Sequence, residues 1–335
     1  MYNIRPKGGS AMTVEEKYKQ ILVEIEKKFK TSKPNSALLL QLESDKKLIL
    51  NCLYPELVKK SSSYDLNIKE TKDEISSFVI NHQLYFCPLS GIYFINKNNK
   101  DIEKLFNSFI NEDVFGLKKI YEEVILNDGL TYVECDQPFW GKNLFISSLR
   151  RNLIEIRKSN KLYEATSKVH ELGHAKTNVE SIGNPIRLKN NSFLESYSIF
   201  LELVFADYLK DNGLKKEGFE LKLLVFRHIK NLIKTLYEQL SEYKNRGEQS
   251  RFDYFYEKSY MALKSYYLSL HFYFLYKDNQ KDALKIINSF IKEVKVLDDN
   301  ELIKKFNLNQ KCFSNDNVYK LYRELSFEKS RAKQK

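Results

Sequence analysis

Apolar residues recur at spacings of three and four from Val14 through Tyr18, Ile21, Leu22, Ile25 and Phe29, which puts one apolar stripe on a helix with a charged face opposite. A second apolar stretch, Leu38 to Leu53, reads as helix and ends near Pro55. Between Ser76 and Asn96 the pattern changes. Phe78, Val79, Ile80, Tyr85, Phe86, Ile92, Tyr93 and Phe94 are β-branched or aromatic, and Pro88 and Gly91 interrupt them, so a hairpin or strand pair is predicted. Helical spacing resumes from Ile102 to Ile125, breaks at Asn127-Asp128-Gly129, and yields to a short strand from Leu130 to Cys135. Everything beyond Trp140 reads as helix, in segments 143–158, 162–177, 192–212, 215–246, 252–277, 279–296 and 316–328.

This pattern predicts an α+β fold that is predominantly α-helical, with a small sheet in the first half packed on a helical second half. Residues 1–12, with Gly8, Gly9 and Ser10 in a row, are expected to be a flexible leader. Residues 13–160 form the expected N-terminal lobe and 161–335 the helical lobe. No Pro/Gly/Ser-rich linker divides them, so one domain with two lobes is expected.

Composition narrows the classes. With 335 residues, 42% apolar and 30% charged, the chain can bury a core, which excludes a disordered polymer and a disulfide-stapled miniprotein. No run of 18 apolar residues occurs and the first thirty positions lack a basic-then-apolar export segment, so no membrane partner is expected and the expected location is cytoplasmic. Cys52, Cys87, Cys135 and Cys312 form no CxxC pair. The net charge of +11 comes from 55 basic residues dispersed among 44 acidic ones, and no recognition module accompanies it, so no nucleic acid is expected as a partner. Oligomeric state is left open.

The chemistry is concentrated in Val169-His170-Glu171-Leu172-Gly173-His174-Ala175, an HExxH pentad that holds two of the chain's five histidines. Residues four apart share a helical face, so both imidazoles can reach one tetrahedral ion with Glu171 beside them. A zinc ion there would lower the pKa of water toward neutrality, and Glu171 would be its general base. Two histidines leave a site incomplete. Thr177 and Glu180 exclude the extension HxxGxxH, so a third ligand must come from elsewhere, and the next helical segment offers Glu195 and Glu202, seven apart on one face. Glu180 is a remote alternative. Glu202 can instead accept the outer N–H of a ligand histidine. The bland readings are a surface helix that happens to spell the pentad, and a solvated acidic face at Glu195.

His170-Glu171-Leu172-Gly173-His174 followed by Phe193-Leu194-Glu195-Ser196-Tyr197-Ser198 and then Glu202 resembles the thimet oligopeptidase and oligoendopeptidase F family of zinc metallopeptidases, gluzincins in which the glutamate of an F-x-E-x-x-S element completes the site. The resemblance implies a zincin-like catalytic core, one Zn2+ per chain held by His170, His174 and Glu195, and a peptide substrate. It also implies tyrosines on a late helix that donate to the substrate carbonyl; Tyr260 and Tyr267, seven apart, match that element, against the plain reading that each is a packing residue. The chain is shorter than typical members, carries Lys176 where they have an apolar residue and Thr177 where histidine is common, and has no histidine shortly before Tyr260. The strand from Leu130 to Asp136, or the hairpin before it, is the expected edge for a peptide backbone. His82, His228 and His271 have no companion at ligand spacing and read as structural. The expected function is zinc-dependent peptide hydrolysis; the rival is a non-catalytic interaction protein whose basic surface binds an acidic partner.

Overall fold

The computed structural model describes residues 12–33, 37–53, 96–134, 141–180, 194–246, 250–293, 297 and 299–333. The expected leader as far as position 11, the expected hairpin as far as position 95, and Trp140 lie outside the described residues.

Helix α1 (Val14–Thr31) starts at a capping box: the Glu16 amide donates to Thr13 Oγ1 (3.2 Å) and the Thr13 amide to Glu16 Oε2 (2.8 Å). It pairs with α2 (Ala37–Leu53). The single helix expected over 102–125 is instead two, α3 (Asp101–Asn111) and α4 (Lys118–Leu126). Asp113 and Gly116 adopt φ of 51° and 63° in the turn between them, and that turn drives Phe115 and Leu117 into the core.

Among the described residues the sheet has three strands, β1 (Leu130–Val133), β2 (Gly141–Ile146) and β3 (Arg151–Arg157), in the order β1-β3-β2. β1 runs parallel to β3 with Leu130 opposite Ile154, and β2 runs antiparallel to it with Leu144 opposite Leu153. The helix expected over 143–158 is thus a hairpin. Phe145, Leu149, Leu153 and Ile156 do fall at helical spacing, but the chain buries the period-2 set instead. Leu144, Ile146 and Leu153 pack against α1 and α2, whereas Ile154 and Ile156 join the main core on the other face. Tyr18 of α1 donates to Glu155 (2.6 Å) on the outer face, which pins α1 across the sheet.

Beyond the sheet the chain is helical: α5 (Lys161–Glu180), α6 (Leu194–Asp211), α7 (Lys215–Arg246), α8 (Ser250–Asp278), α9 (Gln280–Ile291), α10 (Asp299–Phe306) and α11 (Asp316–Lys333). α10 and a 3₁₀ turn at Gln310–Phe313 had no counterpart among the expected segments. α6 is apolar on nearly every side, as a helix packed against α5, α7 and α8 at once must be. The main core runs from Ile102 to Leu325 and draws on both sides of position 160. Among the described residues no helix is long and apolar enough to cross a membrane.

Candidate metal centre and active site

The pentad lies in the middle of α5, whose apolar side (Leu162, Ala165, Val169, Leu172) is sunk in the main core. Gly173, inside the pentad, is where α6 crosses. A Cβ there would fall 2.7 Å from Ser198 Oγ and 3.0 Å from Ser198 Cα, so only a glycine lets the two backbones come this close. The crossing sets Glu195, in the first turn of α6, and Glu202, two turns later, against the histidine face of α5.

The three expected ligands converge. His170 Nε2 is 3.1 Å from His174 Nε2 and 3.3 Å from Glu195 Oε2, and His174 Nε2 is 3.4 Å from Glu195 Oε1. Among the described residues these three form the group able to hold a metal ion. Donors at about 2.0–2.1 Å from one zinc ion stand about 3.3 Å apart along a tetrahedral edge, so the donor set and its spacing both fit zinc. His170 Nδ1 lies 2.5 Å from Glu202 Oε1. A neutral ring that donates Nδ1–H to this carboxylate turns Nε2 into a lone pair facing the other ligands. Glu180, the remote alternative, faces Lys176 (3.4 Å) and Lys292 (3.9 Å) instead.

Burial opposes charge on Glu195, yet contact with His170 and His174 holds its carboxyl well below the usual carboxylate range. At His170 burial likewise disfavours the charged ring, and Glu195 and Glu202 outweigh it and raise the pKa well above the ordinary value. Glu171 differs. It is 4% exposed, and burial pushes its carboxyl upward, against the pull of the two imidazoles. A carboxyl tuned in that direction is better matched to proton transfer near neutral pH.

Glu171 reaches across to the sheet. A Cβ on Gly141 would lie 2.8 Å from Glu171 Oε1 and 2.8 Å from its Cγ, so the first residue of β2 makes room for the carboxylate by having no side chain. Two residues on, Asn143 Oδ1 accepts from Asn178 Nδ2 (2.8 Å) on the same side of α5. Among the described residues β2 is a sheet edge, and it borders Glu171.

The two tyrosines named from sequence have these contacts. Tyr267 donates its phenol to Asn315 Oδ1 (2.5 Å), and Tyr260 holds the Lys264 ammonium over its ring (4.7 Å) beside Asp299. Their shared face meets the segment 299–315. The phenol exposed to the charge of the site is that of the neighbouring Tyr266: burial raises its pKa most, and the carboxylates of Glu202 and Glu195 raise it further. Tyr266 OH lies 2.9 Å from His228 Nδ1 on α7. Sequence spacing identified a tyrosine pair and a helical period but carried no signal for which face of α8 turns toward α6. It carried none at all for His228, 38 residues away from its partner.

An HExxH helix, a downstream glutamate helix and a short sheet meet at one point of this helical α+β scaffold, and solved structures share the fold. A chain assigned to oligoendopeptidase F from Bacillus anthracis str. Ames superposes with a TM-score of 0.54 at 14% identity, covering 94% of this chain and 65% of that one. A 3.1 Å X-ray structure likewise assigned to oligoendopeptidase F gives 0.55 at 12% identity, covering 93% and 66%. The fold is therefore that of the oligoendopeptidase F structures, and the chain spans about two thirds of their length. No protein-family model and no curated protein matches the sequence.

Proposed function

We propose that this chain is a zinc-dependent peptidase. The observation that carries the reading is the convergence of His170 Nε2 and His174 Nε2, 3.1 Å apart, on the Glu195 carboxylate, whose Oε2 lies 3.3 Å from the first and Oε1 3.4 Å from the second, a three-residue donor set of the kind that holds catalytic zinc. His170, His174 and Glu195 would hold the ion, and Glu202 would keep the His170 ring in the tautomer that ligation needs. Zinc bound there supplies Lewis acidity toward a water and toward a peptide carbonyl. Glu171 takes the proton of the attacking water and returns it to the leaving amine, a role favoured by its buried, upward-shifted carboxyl. The role of phenol donor to the developing oxyanion, which the resemblance gave to Tyr260 or Tyr267, passes in this proposal to Tyr266, the tyrosine that senses the site's carboxylates. A peptide is held as an added strand along β2, not along β1, because β2 borders Glu171.

The test is metal analysis of the purified chain together with cleavage-site profiling in a proteome-derived peptide mixture. One zinc per chain and cleavage abolished by a chelator are expected. Glu171→Gln is expected to keep the zinc and lose cleavage. Normal turnover by that variant would remove Glu171 as the base. A chain that binds no zinc, cuts nothing, and is retained on a polyanion in a salt-sensitive way would instead be the basic interaction protein.

A further inference from the structure

We infer that His228 is a positioning residue for Tyr266: its Nδ1–H donates to the phenol oxygen, so the phenol keeps its own hydrogen for an oxygen lying above His170, His174 and Glu195. The inference rests on the peptidase reading for its kinetic consequence, but its structural content stands on contacts of the protein alone.

The geometry comes from two different helices. Tyr266 is on α8 and His228 on α7, with 2.9 Å between the phenol oxygen and Nδ1, and their rings meet edge to face at 80° with centroids 6.2 Å apart. A phenol has one hydrogen and a neutral imidazole has one N–H, so the pair admits two arrangements. In one, Tyr266 donates to His228 and has nothing left for a substrate. In the other, His228 donates to Tyr266 and the phenol hydrogen points outward.

The surrounding charge selects the second. The carboxylates of Glu202 and Glu195 bear on Tyr266; an O–H dipole in their field favours its hydrogen on their side, which leaves a lone pair of the phenol oxygen to accept from the imidazole nitrogen 2.9 Å away. The ring must then present a hydrogen at Nδ1. Burial lowers the pKa of His228, with Glu202 opposing more weakly, so the ring stays neutral and holds its one hydrogen at that position. A donor aligned before substrate arrives needs no reorganisation when charge develops on the carbonyl oxygen.

His228 touches no ligand in this scheme and acts only through Tyr266. This gives a double-mutant signature that ordinary packing would not produce. The zinc-loaded full chain and four variants, His228→Leu, His228→Asn, Tyr266→Phe and the double variant His228→Leu/Tyr266→Phe, would be assayed on a fluorogenic peptide, with zinc content and Tm measured for each. His228→Leu should lower kcat by about tenfold, with KM and zinc content unchanged. In the Tyr266→Phe background the same change should cost little more, because the group it serves is gone. His228→Asn places an amide N–H near the former Nδ1 and should recover most of the loss. An equal penalty in both backgrounds, or a loss explained by lower Tm, overturns the inference.

A second readout needs no turnover. In the metal-free chain, ¹⁵N NMR of the imidazoles should find the His228 proton on Nδ1, and Tyr266→Phe should shift that resonance. A proton on Nε2, or a resonance indifferent to Tyr266→Phe, also overturns the inference. If the parent chain binds no zinc and cuts no peptide, the peptidase reading fails, while the NMR result still decides the hydrogen bond.

Discussion

Gly141 and Glu171 are thirty residues apart in sequence, and their contact is the tightest constraint on the proposed base. A methyl group on Gly141 would fall 2.8 Å from the Glu171 carboxylate, so Gly141→Ala must push either β2 or the carboxylate aside. The expected outcome is a kcat lower by about tenfold or more, with zinc content unchanged because the added methyl meets Glu171, which is not one of the three proposed ligands. Steady-state kinetics beside metal analysis checks it. A variant that lost zinc as well would place the damage at the ligands. His271 offers a different residue-scale test. It is 7% exposed, its Nε2 has no partner among the described residues, and burial, with the Lys320 charge, pushes its pKa down to about 4. The unfolded chain takes up a proton on this ring near pH 6.5 and the folded one only near 4, so the contribution of His271 to stability is complete above about 6.5 and is lost as the pH falls through that window. Urea unfolding of His271→Gln should accordingly show a shallower fall in stability between pH 6.5 and 4. The pentad was legible at this scale because HExxH is a local constellation. Gly141, Tyr266 and His228 were not, because their meaning lies wholly in what faces them.

At the scale of elements, the closeness of α5 and α6 decides whether the two histidines and Glu195 can share an ion. Gly173→Ala would put a carbon 2.7 Å from Ser198 Oγ and 3.0 Å from its Cα, a backbone contact that only helix separation relieves. Zinc affinity measured by competition with a chromogenic chelator should drop by about tenfold or more, since ligand atoms must hold their places within a few tenths of an ångström. Unchanged affinity would mean that α6 carries Glu195 without depending on the crossing. The α5 and α6 segments were readable from sequence because a long amphipathic or apolar helix leaves a strong period. The β2–β3 hairpin was not. Its apolar residues satisfy both a helical and an alternating pattern, and the choice is made by α1 and α2 on one face and α5 on the other, which together bury Leu153 and Ile154 in opposite directions. The same limit applies to α8: a seven-residue interval shows that Tyr260 and Tyr267 share a face, and only the neighbours show that this face looks toward Asn315.

Across the whole molecule, the far end of the helical part is tied together by Lys222 of α7, whose side chain is 1% exposed. Its ammonium lies 2.5 Å from Asp207 on α6 and 3.4 Å from Glu324 on α11, while Tyr273 of α8 donates to Asp207 (2.6 Å). Removing Lys222 takes the nearest cation from Asp207, which keeps the Tyr273 hydroxyl, while Glu324 retains Lys277. Lys222→Ala should cost about 3–5 kcal/mol and lower Tm by several degrees while leaving the zinc donors in place, as calorimetry with metal analysis would report. A drop no larger than that of an exposed Lys→Ala change would show the network to be unimportant. What the sequence by itself determined was local: the helical periods, the HExxH spacing that aligns two imidazoles, and a downstream glutamate at a recognisable offset, all set within a few turns of one chain segment. The tertiary structure alone decided which strand borders the proposed base, which tyrosine feels the carboxylates, and which histidine contacts that tyrosine. Those partners come from separate elements, and packing, not spacing along the chain, brings their atoms within a few ångströms of one another.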